Sequence, residues 1–250
     1  MLVQAGQTAL LIDAGLRVGH LKELLADRLG RLVLNGIILT HSHSDHAAHV
    51  NQTASLFDAP VFMTRGTAQR VRLKSGVRRR LFSATGSFRV GAITLEALPL
   101  PHDVPQVALR FTHASAQAAL VTDLGSIPPG LSSYLRDCHT VLLEANHDVH
   151  MLKNGPYPPS LKARVASDHG HLSNDQTAAV LCMLSPRVRR VVLMHLSLKN
   201  NHPDLARAAA TDALKGRATA IDVAGPFPFL ELTVRAQAVP VAAAQLSLAL

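Results

Sequence analysis

The chain has 250 residues, and 48% of them are hydrophobic, which is enough for the core of one large domain or two small ones. Its net charge of +8 favours a polyanionic partner such as nucleic acid, although a basic surface is also common without one. The two cysteines form no metal or redox motif, so we expect reduced thiols. No apolar stretch is long enough to span a membrane, and the first residues do not resemble a signal peptide. We therefore expect a cytoplasmic protein with no membrane partner.

Short apolar runs alternate with amphipathic segments in the first part of the chain. Residues 8–15 predict a buried strand that ends in a glycine turn, and residues 19–30 predict a helix with leucines at helical spacing and a terminal glycine. Residues 36–40 predict a second strand, and the sequence HSHSDH at residues 41–46 follows it directly. A further strand–helix unit begins at Ala59.

The middle of the chain is richer in strands. Three apolar runs with short breaks between them predict strands at residues 88–100, 106–112 and 117–123. Two later runs, TVLLEAN and RRVVLMH, predict two more strands, and residues 173–184 predict a capped helix. The pattern predicts an α/β fold in a single domain of residues 1–250, with an apolar tail at residues 236–250 to which no structure is assigned.

Three histidines and one aspartate lie within residues 41–46. A turn at the end of a buried strand can aim alternate side chains into one cavity, so His41 and His43 can share one metal ion while Asp45 and His46 reach a second. Imidazole and carboxylate ligands suit zinc, manganese or iron. The alternative is a solvated polar loop.

Three further polar residues each end an apolar strand: His102, Asp123 and His195. Open α/β sheets gather their sites at strand ends, so we expect these side chains to join the first cluster. Each of them taken singly is also explained as a turn residue. Together the two sets supply seven ligands, enough for two divalent metal ions, zinc or manganese.

This order of motifs resembles the metallo-β-lactamase superfamily. The resemblance implies an αββα sandwich, the metallo-β-lactamase fold, with a dinuclear metal site at the edge of the sheets. It also implies two ligand sets joined by a bridging carboxylate: His41, His43 and His102 for one metal, Asp45, His46 and His195 for the other, and Asp123 between them. Asp13, in LIDAG, matches a buried carboxylate that orients a ligating histidine in this superfamily, although a strand-end turn residue explains it equally well.

Three longer motifs resemble the YycJ/WalJ-type branch of that superfamily, bacterial cytoplasmic nucleases with exonuclease activity on DNA. They are LLEANHD, GPYPPSLKARVASDHGHLSN and HLSLKNNHPDLA. Members of this branch usually begin with an extra strand and a Gly/Ser-rich turn ahead of LIDAG. We therefore expect either that the gene start is misassigned or that the sheet lacks this first strand.

The sequence GHLS at residues 170–173 resembles the GHST motif of tRNA-maturing endonucleases in the superfamily. This implies that His171 contacts the scissile phosphate and protonates the leaving oxygen, and the alternative is a polar residue at the entry of a helix. We expect Asp45 to serve catalysis with His171, and we expect Asn146, His147 and Ser173 to bind substrate at the same edge. A purely structural role for His147 remains open.

The function we expect is metal-dependent phosphodiester hydrolysis, in which a hydroxide bridging the two metals attacks the phosphorus and His171 donates a proton. Basic residues would hold the DNA backbone without reading its sequence, unless they only form a solvated face. They fall into three groups: Arg72, Lys74, Arg78, Arg79 and Arg80; Arg187, Arg189, Arg190 and Lys199, near His195 in sequence; and Lys153, Lys162 and Arg164.

Two other functions remain open. One is hydrolysis of small esters, lactones or thioesters, because the same dinuclear site serves those substrates. The other is non-catalytic nucleic-acid binding with a structural metal, although structural zinc sites are closed and this ligand set has an open edge.

Overall fold

The structure, a computed structural model, describes residues 1–25, 33–225, 230–235 and 245–249. Its strands are, in chain order, β1 (Leu2–Ala5), β2 (Thr8–Ile12), β3 (Gly36–Ile38), β4 (Val61–Thr64), β5 (Arg79–Phe82), β6 (Ser87–Val90), β7 (Ile93–Leu100), β8 (Gln106–His113), β9 (Ala116–Val121), β10 (Thr140–Glu144), β11 (Arg190–Met194), β12 (Ala220–Val223), β13 (Glu231–Arg235) and β14 (Gln245–Ala249). Its helices are α1 (Val18–Leu24), α2 (Ser44–Ala47), α3 (Val50–Phe57), α4 (Arg65–Ala68), α5 (Leu131–Leu135), α6 (Val149–Asn154), α7 (Pro159–Val165), α8 (Asn174–Cys182) and α9 (Pro203–Ala213).

The strands form two mixed sheets. The first has the order β13-β14-β1-β2-β3-β4-β5 and the second the order β12-β11-β10-β9-β8-β7-β6. A core of buried residues from both sheets, such as Ile12 and Phe111, lies between them. Because separate apolar clusters join the first sheet to α1 and α3 and the second sheet to α5, α8 and α9, helices cover the outer faces. The predicted αββα sandwich is confirmed.

Parallel pairing places several strand ends at one edge. In the first sheet β2, β3 and β4 run parallel, and in the second sheet β9, β10 and β11 do so. The segments that follow these strands therefore meet at the edge formed by the carboxyl ends, where α/β proteins build their sites.

Several boundaries differ from the sequence prediction. The single strand predicted at residues 88–100 is two strands, β6 and β7, which pair antiparallel around a turn at Gly91. Gly91 has a φ of 57°, a left-handed conformation that glycine adopts without steric cost, so the chain reverses there.

Other differences concern the first and last residues. A strand, β1, precedes LIDAG where the sequence analysis assigned none, and it lies between β2 and β14. Strand β14 falls within the tail of residues 236–250, of which the remainder lies outside the described residues. The predicted end of the first helix at Gly30 also lies outside them. None of the described helices is long and apolar enough to cross a membrane.

Candidate metal centre

The seven side chains expected to bind metal converge at the carboxyl-end edge. The donor atoms within each of three overlapping groups lie within 4.8 Å of one another: His41, His43 and His102; His41, His46 and Asp123; and Asp45, His46 and His195. A fourth group brings Glu144 and His171 to Asp123 and His195. Clusters of this composition are typical of a metal site.

His41 is fully buried, and one of its ring nitrogens points to the cluster. The Thr40 hydroxyl lies 2.9 Å from Asp13 Oδ2 and 3.1 Å from His41 Nδ1, so it can donate to the carboxylate and accept from the ring. His41 Nε2 is buried and has no hydrogen-bond partner among the described residues. Burial lowers the pKa of His41 to about 4, so the ring is neutral at neutral pH. A buried, unpartnered lone pair of this kind fits a metal ligand.

His43 and His102 approach the same position from another direction. His102 Nδ1 donates to the carbonyl of Gly170 at 3.1 Å, which leaves Nε2 facing the cluster, 3.3 Å from His43 Nδ1. His43 Nε2 lies 3.0 Å from Asp103 Oδ1. Hydrogen bonds on the far ring nitrogens fix the orientation of both imidazoles.

Asp13 fixes the orientation of His46. Its Oδ2 lies 2.8 Å from His46 Nδ1, and its Oδ1 accepts from the backbone N–H of Thr40 at 2.8 Å. Burial lowers the pKa of His46, but the carboxylates of Asp13 and Asp123 outweigh this and raise it to about 10. The Asp13 carboxylate therefore acts on a ligand-group histidine, as the resemblance implied.

Asp123 lies between the two sides of the cluster. Its side chain is almost fully buried, with Oδ2 3.5 Å from His46 Nε2 and Oδ1 3.5 Å from His195 Nε2. Burial raises the pKa of this carboxyl, but the surrounding histidines, His195 first, lower it well below its ordinary value. A central carboxylate with one oxygen toward each side has the geometry that a bridging ligand requires.

Glu144, the last residue of β10, connects His195 to His171. Its Oε1 accepts from Nδ1 of both rings at 2.8 Å, and its Oε2 accepts from the backbone N–H groups of Leu124 and Leu172. Burial raises the pKa of Glu144, but the two imidazoles lower it, so the carboxylate is ionised. A charged residue at the end of the otherwise apolar strand TVLLE is the signal that marks it.

His171 lies beside the ligand cluster. Its ring centroid is 5.3 Å from that of His102 and 5.4 Å from that of His195. Burial lowers the pKa of His171, but the hydrogen bond to Glu144 raises it above the ordinary value. Glu144 accepts from Nδ1, so Nε2 is the ring nitrogen that this hydrogen bond leaves unused.

Sharp backbone turns direct these side chains. The chain leaves β2, β9 and β11 through Asp13, Asp123 and His195, whose φ angles are 60°, 60° and 59°. Gly15 lies against the HSHSDH segment so closely that a Cβ there would stand 1.5 Å from the carbonyl oxygen of Asp45.

The residues expected to bind substrate take part in the fold. Asn146 Nδ2 donates to the carbonyl of His195 at 3.0 Å, and the Ser173 hydroxyl caps α8 by accepting from the N–H of Gln176. His147 is buried, and its Nδ1 has no partner among the described residues. Substrate roles for these three side chains stay predictions. The side chain of Asp45 is 64% exposed at the mouth of the cluster, and its catalytic role also stays a prediction.

Arg187, Arg189 and Arg190 are not near His195 in space. Arg190 opens β11 and His195 follows its other end, so the two residues are separated by roughly 16 Å at about 3.3 Å per residue. Closeness to His195 in sequence therefore does not bring these arginines to the site, because a strand keeps its two ends apart.

Known proteins resemble this chain in sequence. A family model described as the β-lactamase superfamily domain matches residues 8–196. The exodeoxyribonuclease YycJ of Bacillus anthracis is 30% identical over 221 residues, covering 85% of this chain and 83% of that protein. The exodeoxyribonuclease WalJ of Streptococcus pneumoniae is 31% identical over 223 residues, covering 85% and 82%.

Solved structures share the fold. The metallo-β-lactamase fold protein YhfI from Bacillus subtilis superposes with a TM-score of 0.69 at 19% identity, covering 89% of this chain and 87% of that one. Zn²⁺-bound PqqB from Methylobacterium extorquens gives a TM-score of 0.66 at 15% identity, covering 89% and 83%. At these identities the likeness concerns the fold alone.

Proposed function

This chain belongs to the metallo-β-lactamase superfamily, and from that premise we propose that it is a metal-dependent phosphodiesterase that degrades DNA as an exonuclease. One observation carries the proposal: a ligand cluster centred on Asp123 lies beside His171, a histidine held by the buried carboxylate of Glu144. This combination supplies both a site for divalent cations and a separate proton donor.

The donor set fits two cations in the arrangement that the sequence resemblance implies. His41, His43 and His102 would hold one ion, Asp45, His46 and His195 would hold the other, and Asp123 would contact both. The buried, unpartnered Nε2 of His41 supports this assignment. Bound zinc or manganese would supply Lewis acidity at the phosphoryl oxygens and activate water at neutral pH.

His171 would act as the general acid. Glu144 holds Nδ1 at 2.8 Å and raises the pKa of the ring, which favours a protonated imidazole. As the phosphorus–oxygen bond to the leaving group breaks, the proton on Nε2 passes to the departing oxygen. No protein nucleophile is required, since the incoming oxygen comes from water.

The proposal that DNA is the substrate is supported by the names of the related proteins and by the net charge of this chain. Two proteins that are 30% and 31% identical to this chain are named exodeoxyribonucleases. The net charge of +8 agrees with a polyanionic substrate, whose phosphates basic side chains bind without reading sequence.

The test is a nuclease assay on end-labelled duplex and single-stranded DNA. Protein stripped of metal is compared with the same protein after zinc or manganese is added back. We expect cleavage from an end that requires the metal and is lost in Asp123→Asn. Turnover of lactones or thioesters without DNA cleavage would instead indicate the esterase function, and DNA binding without any turnover would indicate a binding protein.

A further inference from the structure

Asp103, the residue after His102, touches the ligand cluster without belonging to the predicted ligand set. Its Oδ1 lies 3.0 Å from His43 Nε2 and 3.4 Å from His102 Nε2. By accepting from Nε2 of His43, the carboxylate leaves the Nδ1 lone pair of that ring free to face the cluster.

The second oxygen of Asp103 contacts Arg164 in α7. Arg164 Nε lies 3.4 Å from Asp103 Oδ2, and the arginine side chain is 55% exposed. Its terminal nitrogens have no acceptor among the described residues. The contrast is Arg217, whose two terminal nitrogens both donate to backbone carbonyls, those of Leu184 and Ser185. Arg164 is therefore held by one edge of its guanidinium while its other donors remain free.

The backbone under Arg164 is tied to the site. A Cβ at Gly170 would stand 2.3 Å from the carbonyl oxygen of Arg164 and 2.2 Å from that of Val165, so the segment of residues 170–171 packs directly on the end of α7. His171 N–H donates to the carbonyl of Val165, and the Gly170 carbonyl accepts from His102. The backbone at Arg164 is thus fixed relative to both the ligand cluster and the proposed general acid.

A cavity of about 360 Å³ begins at the same carboxylate. Asp103 and His102 form one wall, and the remaining lining includes Thr64, Pro101, Pro105 and His169. Apolar ring edges and a few polar groups suit the sugar and base of a nucleotide.

We propose that Arg164, positioned by Asp103, binds the phosphate adjacent to the scissile one, and that the cavity holds the nucleoside between these phosphates. The proposal rests on the proposed function and deepens it, because it defines the substrate as a chain with a second phosphate. The carboxylate of Asp103 lies between Arg164 and the ligand histidines. The guanidinium would therefore contact the neighbouring phosphate and not the scissile phosphate at the ligand cluster. Arginine suits this task because its free donors match two phosphate oxygens.

The test compares Arg164→Ala with Arg136→Ala, a matched removal of an exposed arginine at the end of α5. Short oligothymidylates carry neighbouring phosphates, whereas bis(p-nitrophenyl) phosphate has none. For Arg164→Ala we expect KM on the oligonucleotide to rise roughly 10–100-fold, with little change in kcat or in metal content. Activity on bis(p-nitrophenyl) phosphate should not change, and Arg136→Ala should match wild type on both substrates.

Asp103→Asn provides a second variant that retains Arg164. We expect a higher KM for the oligonucleotide, because the arginine loses its anchor, and weaker metal retention, because His43 loses its carboxylate partner. Metal analysis measures the second effect without any assay of activity.

The outcomes separate the two proposals. If wild-type protein cleaves oligonucleotides and Arg164→Ala does so with the same KM, the role of Arg164 is wrong and the proposed function stands. An equal loss on bis(p-nitrophenyl) phosphate would also overturn it. If the wild-type protein with added metal cleaves no oligonucleotide at all, the proposed function is wrong, and the phosphate subsite is overturned with it.

Discussion

Asp123 and His41 contribute to the ligand cluster in different ways, and their variants should differ accordingly. Asp123 offers one oxygen toward His46 and the other toward His195, whereas His41 offers a single nitrogen. We expect Asp123→Ala to weaken both metal positions and His41→Ala to weaken chiefly one. Titration with zinc, followed by elemental analysis, measures the stoichiometry of each variant. Equal losses in the two variants would contradict a bridging role for Asp123.

His171 should matter for catalysis and not for metal content. His171→Ala removes the proton donor while the seven expected ligands remain, so we expect unchanged metal analysis and roughly 10²–10⁴-fold lower DNA cleavage, about 3–5 kcal/mol of transition-state stabilisation. The loss should shrink on bis(p-nitrophenyl) phosphate, since a nitrophenolate leaves without protonation. His150→Ala, an exposed histidine on α6, is the control. Equal losses on both substrates would exclude general acid catalysis by His171.

The two cysteines should differ in reactivity. Cys138 is fully buried, and burial raises the pKa of its thiol to about 12, whereas Cys182 is exposed. Because the thiolate is the reactive form, we expect one rapid equivalent with Ellman's reagent in the native protein and two after denaturation. Cys182→Ser should abolish the rapid equivalent, and a persisting one would place Cys138 within reach of solvent.

At the scale of elements, the loop after β2 and helix α2 form one unit. Ala14 N–H donates to the carbonyl of His46, His49 N–H donates to that of Ala14, and Gly15 lies against Asp45. The helix that carries Asp45 and His46 is therefore held by a segment from a different strand, and its position depends on that contact.

Gly15→Ala tests this contact. The new Cβ would fall 1.5 Å from the Asp45 carbonyl oxygen, so the loop and α2 must separate. We expect a loss of about 1–3 kcal/mol or more in the free energy of unfolding, together with weaker metal binding. Gly19→Ala in α1, where no atom lies within 4 Å of the new Cβ, should be neutral or stabilising. Denaturant unfolding and metal analysis of both variants test whether the Gly15–Asp45 contact positions α2; equal values for the two variants would contradict it.

Elements were predictable from sequence where a local pattern determines them. The apolar runs of β2, β3, β10 and β11 and the capping box of α8 appear directly in the sequence. The hairpin at Gly91 was missed because apolar residues continue on both sides of it. Strands β1 and β14 were missed because such short segments form strands only through the neighbours they pair with, and local sequence does not specify those neighbours.

For the whole molecule, the order of the histidine and aspartate motifs was enough to predict the αββα sandwich and the residues that converge at its edge. The contacts of Asp103 and Glu144 were not predictable, because both depend on how two distant segments approach each other. Asp103 meets His43 across 60 residues of chain, and Glu144 meets His195 across 51. Contacts of that kind are properties of the folded molecule.

The left-handed conformations at Asp13, Asp123 and His195 place backbone strain at the same edge as the candidate site. For residues with a Cβ this conformation costs on the order of 1–3 kcal/mol, so the surrounding sheets stabilise turns that the local chain disfavours. Glycine adopts the left-handed conformation without this cost, so at such a position a glycine variant is expected to be more stable than an alanine variant, the reverse of their usual order. His195→Gly and His195→Ala lose the same imidazole, yet we expect the glycine variant to be more stable by about 1 kcal/mol. Denaturant unfolding of the two variants measures their difference in free energy of unfolding, which is the cost of the left-handed conformation that directs this side chain. Equal free energies would mean that the turn relaxes once the imidazole is gone.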